Sequence, residues 1–148
     1  MDAAQKLRRT LAEVFGRKGG DGRYTRLFEN LEPSSRDALL ELVPLGEGEL
    51  PVIGSTESPQ RWLFITTHRI VWQAGGDILT LPTRNVFHAA PDRSDFSTGT
   101  RWKKNPKSLE IETIDHKQWR IPVEGGPPLA GVWSILLNLG ARNRHAKT

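Results

Sequence analysis

The chain contains no cysteine and no long hydrophobic run. Without cysteine it has no disulfide bonds, no thiolate ligands for a metal ion and no cysteine nucleophile. No apolar stretch approaches the roughly 18 residues of a transmembrane helix, and the N-terminus lacks the apolar core of a signal peptide. We therefore expect a cytoplasmic protein that does not span a membrane.

What is present is the composition of a folded, basic protein. The 148 residues include 21 Lys and Arg against 17 Asp and Glu, which gives a formal charge of +4, and 36% of the residues are hydrophobic. A chain of this length fits one domain with an appendage and buries roughly 68–70% of its unfolded surface. The sequence pI of about 9.8 favours anionic partners.

The first part of the chain, residues 1–44, has the hydrophobic spacing of helices. Asp2 is a candidate N-cap, and apolar residues then recur at helical spacing until Gly16, which is expected to stop the helix. A second apolar stripe predicts another helix over 24–31. We therefore predict a helical N-terminal extension over 1–44, followed by a separate domain over 45–148.

A third short helix is predicted before Pro44. Ser34 with Asp37 three residues later resembles a capping box, and the apolar residues that follow continue to Leu42. Three helices this short need a surface to pack on, because isolated short helices are marginal in water.

After Leu45 the period of the hydrophobic pattern changes to two, which is typical of strands. Short turn-like connectors such as Thr67-His68 and Gly75-Gly76 separate the segments. Parallel strands need long crossovers, so the pattern predicts an antiparallel meander folded as a small barrel or sandwich. The seven predicted strands are 49–54, 61–66, 69–74, 77–82, 85–90, 107–114 and 117–123.

The second of these strands, 61–66, is apolar on both faces. Leu63 and Ile65 alternate with Trp62 and Phe64, so each face meets an apolar neighbour. We therefore expect this strand to lie between the interior of the barrel and another covering element.

The order of elements, seven strands and then an amphipathic helix from Leu129, resembles the pleckstrin-homology-like superfold, and particularly the bacterial PH and GRAM-type families. The most specific piece is 63–72, where Thr66 and Arg69 match the hydrophobic-Thr-x-x-Arg-hydrophobic hairpin of those families. Residues 45–49 are similar to their Gly-Glu start of the first strand. A Leu-Pro passage at 81–82 is also similar.

The resemblance covers about residues 45–142. It implies an α+β fold, mainly antiparallel β, with a seven-stranded PH-like barrel or sandwich capped by the C-terminal helix. Such a domain is expected to be a non-catalytic interaction module. Three residues have expected structural roles: Thr66 bonds the turn backbone, Arg69 reaches a carboxylate, and Trp133 plugs the barrel end with its indole N–H bonded to a partner.

One ionisable cluster contains histidine. His88, Asp92 and Asp95 have spacings that could converge on a divalent ion or support acid–base chemistry. The alternative, which we favour, is a solvated loop around Pro91 with Asp as turn residues. We therefore expect no catalytic residue, no metal site and no cofactor.

The strongest candidate for function is a basic segment, 91–107. Its five cations against two carboxylates give a charge of +3, close to that of the whole chain, around a single tryptophan. We predict that it contacts an acidic protein surface or an anionic membrane lipid; alternatively the tryptophan packs on the barrel and the cations are only solvated. The predicted contact residues are Arg93, Arg101, Trp102, Lys103, Lys104 and Lys107.

Two further partners follow from charge and topology. Seven cations among the first 30 residues make a second candidate face for nucleic acid or an anionic membrane. Carboxylates are interspersed among these cations, which favours the alternative that the charged side chains only keep the helices solvated. Non-specific nucleic-acid binding is thus the alternative function. Sheet edges could also pair two copies into a homo-oligomer.

Overall fold

The structure is a computed structural model that describes residues 2–91 and 107–146 of the chain. Within these residues it contains three α-helices and eight strands. The helices are α1 (Ala3–Lys18), α2 (Pro33–Leu42) and α3 (Pro127–Ala146). The strands are β1 (Thr25–Leu27), β2 (Pro51–Ser58), β3 (Arg61–Thr66), β4 (Arg69–Ala74), β5 (Ile78–Pro82), β6 (Val86–Pro91), β7 (Ser108–Thr113) and β8 (Gln118–Pro122).

The strands form two antiparallel sheets, one with the order β1-β2-β3-β4-β5 and one with the order β6-β7-β8. The predicted α+β class, with mainly antiparallel strands and a C-terminal helix, is confirmed. The prediction of seven strands in a barrel or sandwich is wrong in the number of strands and in the barrel: the described residues form eight strands in two sheets, with no closed barrel. The chain passes from β5 to β6 through a 3-10 turn at Thr83–Asn85 and there changes sheet.

The eighth strand is β1, where the sequence predicts a helix over 24–31. Its apolar residues do not share one face: Leu27 packs on one core, whereas Phe28 and Leu31 belong to another. The backbone at Thr25 instead pairs with Ser55 of β2, and the two hydroxyls are 2.9 Å apart and buried. The apolar residues have helical spacing in the sequence, but they pack into two different hydrophobic cores and do not form one face of a helix.

The ends of the helices agree with the sequence predictions only in part. Asp2 caps α1 as predicted, because its carboxylate accepts from Gln5 N at 2.8 Å and Gln5 returns a bond to Asp2 N. However, α1 continues past Gly16 to Lys18. The capping box predicted at Ser34 is also wrong, because α2 already begins at Pro33, whose fixed φ suits the first helical position.

Two hydrophobic cores lie on opposite faces of the five-stranded sheet. The larger core is enclosed by both sheets, α1 and α3, and contains Leu63 and Ile65 of β3. The smaller core lies under α2 and contains Trp62 and Phe64 of the same strand. The prediction that β3 is covered on both faces is confirmed, and α2 is the covering element.

The C-terminal helix α3 closes the larger core. Its buried residues include Val132, Ile135 and Leu136, and its N-terminal part packs on α1. Trp133 is half-buried, and its indole Nε1 donates to the Ala89 carbonyl at 2.7 Å. None of the helices in the described part of the chain combines the length and hydrophobicity needed to cross a bilayer.

Candidate interaction site

Most of the predicted basic site lies outside the described residues. This holds for Arg93, Arg101, Trp102, Lys103 and Lys104.

Lys107 is the described member of the basic site, and its side chain is exposed. Its carbonyl accepts from Arg61 Nη2 at 2.8 Å and from Val123 N at 2.9 Å. The point where the basic segment rejoins the sheet is therefore fixed beside the β2–β3 hairpin.

The histidine cluster is likewise only partly described. His88 is exposed on β6, and Asp92 and Asp95 lie outside the described residues. Within residues 2–91 and 107–146, no group of three or more His, Asp or Glu side chains could hold a metal ion.

Thr66 and Arg69 meet at a buried carboxylate, Glu49. Thr66 Oγ1 donates to Glu49 Oε2 at 2.6 Å, and Arg69 Nε donates to the same oxygen at 2.8 Å. The Thr66 hydroxyl also accepts from the backbone N–H groups of His68 and Arg69 at 3.1 and 3.0 Å. A further bond joins Gly46 N to Glu49 Oε1 at 2.8 Å. One carboxylate thus ties the β3–β4 turn to the segment that precedes β2.

These bonds set the charge state of Glu49. Burial by itself would raise the pKa of Glu49, but the hydrogen bonds from Arg69, Gly46 and Thr66 and the Arg69 charge outweigh it and lower the pKa to about 2. Its oxygens are committed to these structural donors, so the network holds the hairpin rigidly.

A groove with a volume of about 780 Å³ lies between α2 and the β2–β3 hairpin. Its floor is apolar and well packed, because Leu39 and Trp62 belong to the smaller core and are 0% and 2% exposed. Its walls include Leu42, which is 45% exposed, and Pro59 of the hairpin turn. An exposed leucine beside a rigid aromatic floor makes an apolar surface that is already formed.

The floor and one wall are fixed by polar bonds. The Trp62 indole Nε1 donates to Gln73 Oε1 at 2.9 Å, which orients the ring, and Thr56 Oγ1 lies 3.2 Å from Ser35 Oγ, which links β2 to α2. The close approach of α2 also depends on Gly54, where a Cβ would come within 2.5 Å of a Leu39 methyl group.

The charged residues that line the groove are both acidic. Glu41 is exposed on α2, and Glu57 of the hairpin forms an ion pair with Arg61 at 2.7 Å. Among the described residues, no cation lines this groove. The groove is therefore an apolar site lined by two carboxylates, one of them paired with Arg61, on a protein whose net charge is +4.

A second depression, between α1 and α3, has the opposite charge. It has a volume of about 550 Å³, and Lys6, Arg9 and Arg142 are among its lining residues. Arg9 lies 3.4 Å from Glu13 at an exposed position, and Arg142 Nε donates to Asn138 at 2.8 Å.

Other cations of the N-terminal candidate face have structural partners. Arg8 Nε donates to the Pro51 carbonyl at 3.1 Å and Arg26 Nε to the Gly22 carbonyl at 3.1 Å. Arg23 lies over the Tyr24 ring at 5.1 Å. These cations therefore fasten the N-terminal segment as well as charging it.

Sequence reasoning missed the α2 groove. The available signal was the two-faced pattern of strand 61–66, which required a covering element, together with the short amphipathic helix predicted to end at Leu42. The pattern gave no means of placing that helix on that strand.

No protein-family model, curated protein or solved structure matches this chain. The resemblance to the PH-like superfold stays a prediction from the sequence.

Proposed function

We propose that this protein is a PH-like, non-catalytic interaction module that binds a segment of a partner protein in the groove between α2 and the β2–β3 hairpin. The observation that carries the proposal is the preformed apolar surface over Trp62, walled by the exposed Leu42 and rimmed by carboxylates.

The groove has the features of a peptide-binding surface. Partner segments commonly gain their affinity from one or two apolar anchors placed in a pocket that is already formed. The buried floor costs little to organise on binding, because the hydrogen bond to Gln73 already holds the Trp62 ring. The exposed apolar wall at Leu42 gains by being covered.

Charge selects among such segments. Arg61 offsets the charge of Glu57, but Glu41 also lines the groove and would disfavour an acidic segment, whereas a lysine or arginine beside the anchor would be attracted. The proposed ligand is therefore a peptide segment with a large apolar side chain next to a cation.

A peptide library displayed on phage provides the test. Peptides selected on the full chain should share an apolar residue adjacent to Lys or Arg. Their affinity, measured by fluorescence polarisation, should fall at least about tenfold in Leu42→Lys, because that change places a cation on the groove wall.

The chain offers a matched control in Leu40→Lys. Leu40 is on the same helix and is 36% exposed, but it does not line the groove, so this variant should bind like the parent. Selected peptides without cations, or equal losses in the two variants, would refute the groove proposal.

A second candidate function is binding of an anionic membrane lipid by the basic segment. Its support is the charge of +3 around Trp102 in the sequence. In addition, Pro91 lies opposite Leu109 in the β6–β7 register, so the segment leaves and rejoins the three-stranded sheet at one end. A charged segment held at both ends in this way is suited to facing a flat surface.

Charge reversal tests this candidate. Replacing Arg101, Lys103 and Lys104 with Glu should abolish co-sedimentation with phosphatidylserine vesicles at low salt, while the melting temperature stays close to that of the parent. Phosphatidylcholine vesicles are the control. Undiminished association at low salt would remove the basic segment from consideration.

The nucleic-acid alternative has its support in the basic depression between α1 and α3, at Lys6, Arg9 and Arg142. It differs from lipid binding in its ligand: affinity for arbitrary DNA should fall steeply and linearly with the logarithm of salt concentration.

A further inference from the structure

Among the described residues, the β5 strand forms one edge of the five-stranded sheet. Its residues Ile78 and Leu79 are 46% and 39% exposed, and Thr80 is also exposed. Natural proteins usually protect such an edge with charges or by covering it. Here two large apolar side chains, on opposite faces of the strand, accompany the open edge.

One hydrogen bond just after β5 shows toward which side of the strand the backbone N–H and C=O groups of each β5 residue point. Thr83 N donates to the His68 carbonyl at 3.0 Å, which continues the β4–β5 register of Arg69 opposite Pro82. Bonding direction alternates along an antiparallel strand, so Leu79 and Leu81 direct their backbone groups toward β4. The backbone groups of residues 78 and 80 therefore point to the open edge.

This edge is complementary to a second copy of itself. In an antiparallel pair centred on Thr80, the two Thr80 residues exchange N–H···O=C bonds, and each Ile78 lies opposite Pro82 of the other copy. Pro82 has no N–H, and as the N-cap of the 3-10 turn its carbonyl already accepts a bond within that turn, so the Thr80 pair carries the hydrogen bonds between the two copies. Ile78 of each copy thus meets Pro82 of the other on the same face, apolar against apolar, with the Thr80 pair between them.

Charge complements the backbone match. Asp77 precedes β5 and Arg84 follows it, and both side chains are exposed. Antiparallel pairing brings Asp77 of one copy toward Arg84 of the other at each end of the joined strands. A parallel arrangement would instead place like charges together.

We propose that this chain forms a two-fold symmetric homodimer in which the β5 edges pair antiparallel about Thr80 and join the two five-stranded sheets. The proposal does not depend on the α2 groove.

The test removes the outward N–H of Thr80. Thr80→Pro deletes the N–H that points to the open edge, and proline is tolerated on edge strands in that orientation. Sedimentation equilibrium should give the parent twice the 16.6 kDa mass of one chain and Thr80→Pro a single mass, with a melting temperature near that of the separated parent chain.

A second variant keeps the backbone intact. Ile78→Lys places like charges across the joined edge and should also give a single mass, whereas Gln118→Lys, an exposed change on β8, should leave the dimer unchanged. A parent of single mass over a wide range of concentration, or a dimer that persists in both Thr80→Pro and Ile78→Lys, would overturn the proposal.

The absence of native cysteine allows a direct check of the register. Thr80→Cys places a thiol next to its symmetry mate and should cross-link through a short bismaleimide to a covalent dimer. Gln118→Cys on β8 should remain a single chain. Equal cross-linking of the two variants would show random collision rather than β5 pairing.

Discussion

Glu49 is a side chain that makes the stability of this fold depend on pH. The carboxylate side chain is 3% exposed, and its bonds to Thr66, Arg69 and Gly46 are all to the ionised form. A buried carboxylate with a complete set of donors stabilises the fold only while it is charged. The pKa of Glu49 in the folded chain is about 2, against 4.5 as its ordinary value.

The direction of the pH dependence follows from that difference. The folded pKa is the lower one, so the stability that Glu49 contributes is fully present above pH 4.5 and is lost as the pH falls toward 2. The full contribution is on the order of 3 kcal/mol. We expect Glu49→Gln to lose about this much free energy of unfolding near neutral pH and to show a shallower acid transition in urea titrations.

Glu47→Gln is the matched control for that experiment. Glu47 lies two residues earlier and is exposed, so its variant should follow the acid transition of the parent. If Glu49→Gln and the parent lose stability in parallel between pH 4.5 and 2, the assignment of the acid transition to Glu49 is wrong.

At the scale of elements, the N-terminal segment is held by a residue from the opposite part of the chain. Glu124 Oε2 accepts from Arg23 N, and Glu124 Oε1 accepts from Tyr24 N and Thr25 N, each at 2.8 Å. Burial would raise the pKa of Glu124, but the three backbone bonds outweigh it and lower the pKa. The carboxylate thereby fixes the start of β1 beside β2.

Replacing this carboxylate with an amide should loosen β1. In Glu124→Gln the side-chain NH₂ cannot accept, so at least one backbone N–H loses its partner, at a cost of about 1–3 kcal/mol. Hydrogen exchange should become faster at residues 23–27 in particular. Glu29→Gln, at an exposed position in the same region, is the control, and equal exchange in the two variants would contradict the role given to Glu124.

At the scale of the whole molecule, charge and apolar exposure are distributed unevenly. The chain carries +4, yet the α2 groove is lined by carboxylates, and the cations described around α1 and α3 face a different depression. Among the described residues, the exposed large hydrophobic side chains fall into two pairs, one at the end of α2 and one on β5. The proposal of peptide binding concerns the first of these places, and the proposal of a homodimer concerns the second.

Local pattern was sufficient for much of the sheet. The strands predicted at 61–66 and 69–74 have the observed bounds, because their alternation is continuous and the Thr67-His68 turn is short. The burial of β3 on both faces could also be predicted from the sequence, because Trp62 and Phe64 alternate with Leu63 and Ile65.

Elements that depend on contacts between distant residues could not be predicted from the local hydrophobic pattern. β1 depends on Ser55 as its partner and on Glu124, about 100 residues away. The residues that stabilise this strand are therefore not in the stretch of sequence around it. The α2 groove arises only when a helix rests on one particular strand. The basic segment lies mostly outside the described residues, and its role stays a prediction.

The dependence of β1 on Glu124 has a consequence for synthesis on the ribosome. The backbone of 23–25 and the apolar face of α1 at Leu11 and Phe15 emerge first, but their anchors, Glu124 and α3, are made more than ninety residues later. Until then that apolar face of the newly synthesised chain is uncovered, and chaperones and other nascent chains compete for it. We therefore expect slower translation of the second half of the message to lengthen the time during which the early segment can aggregate.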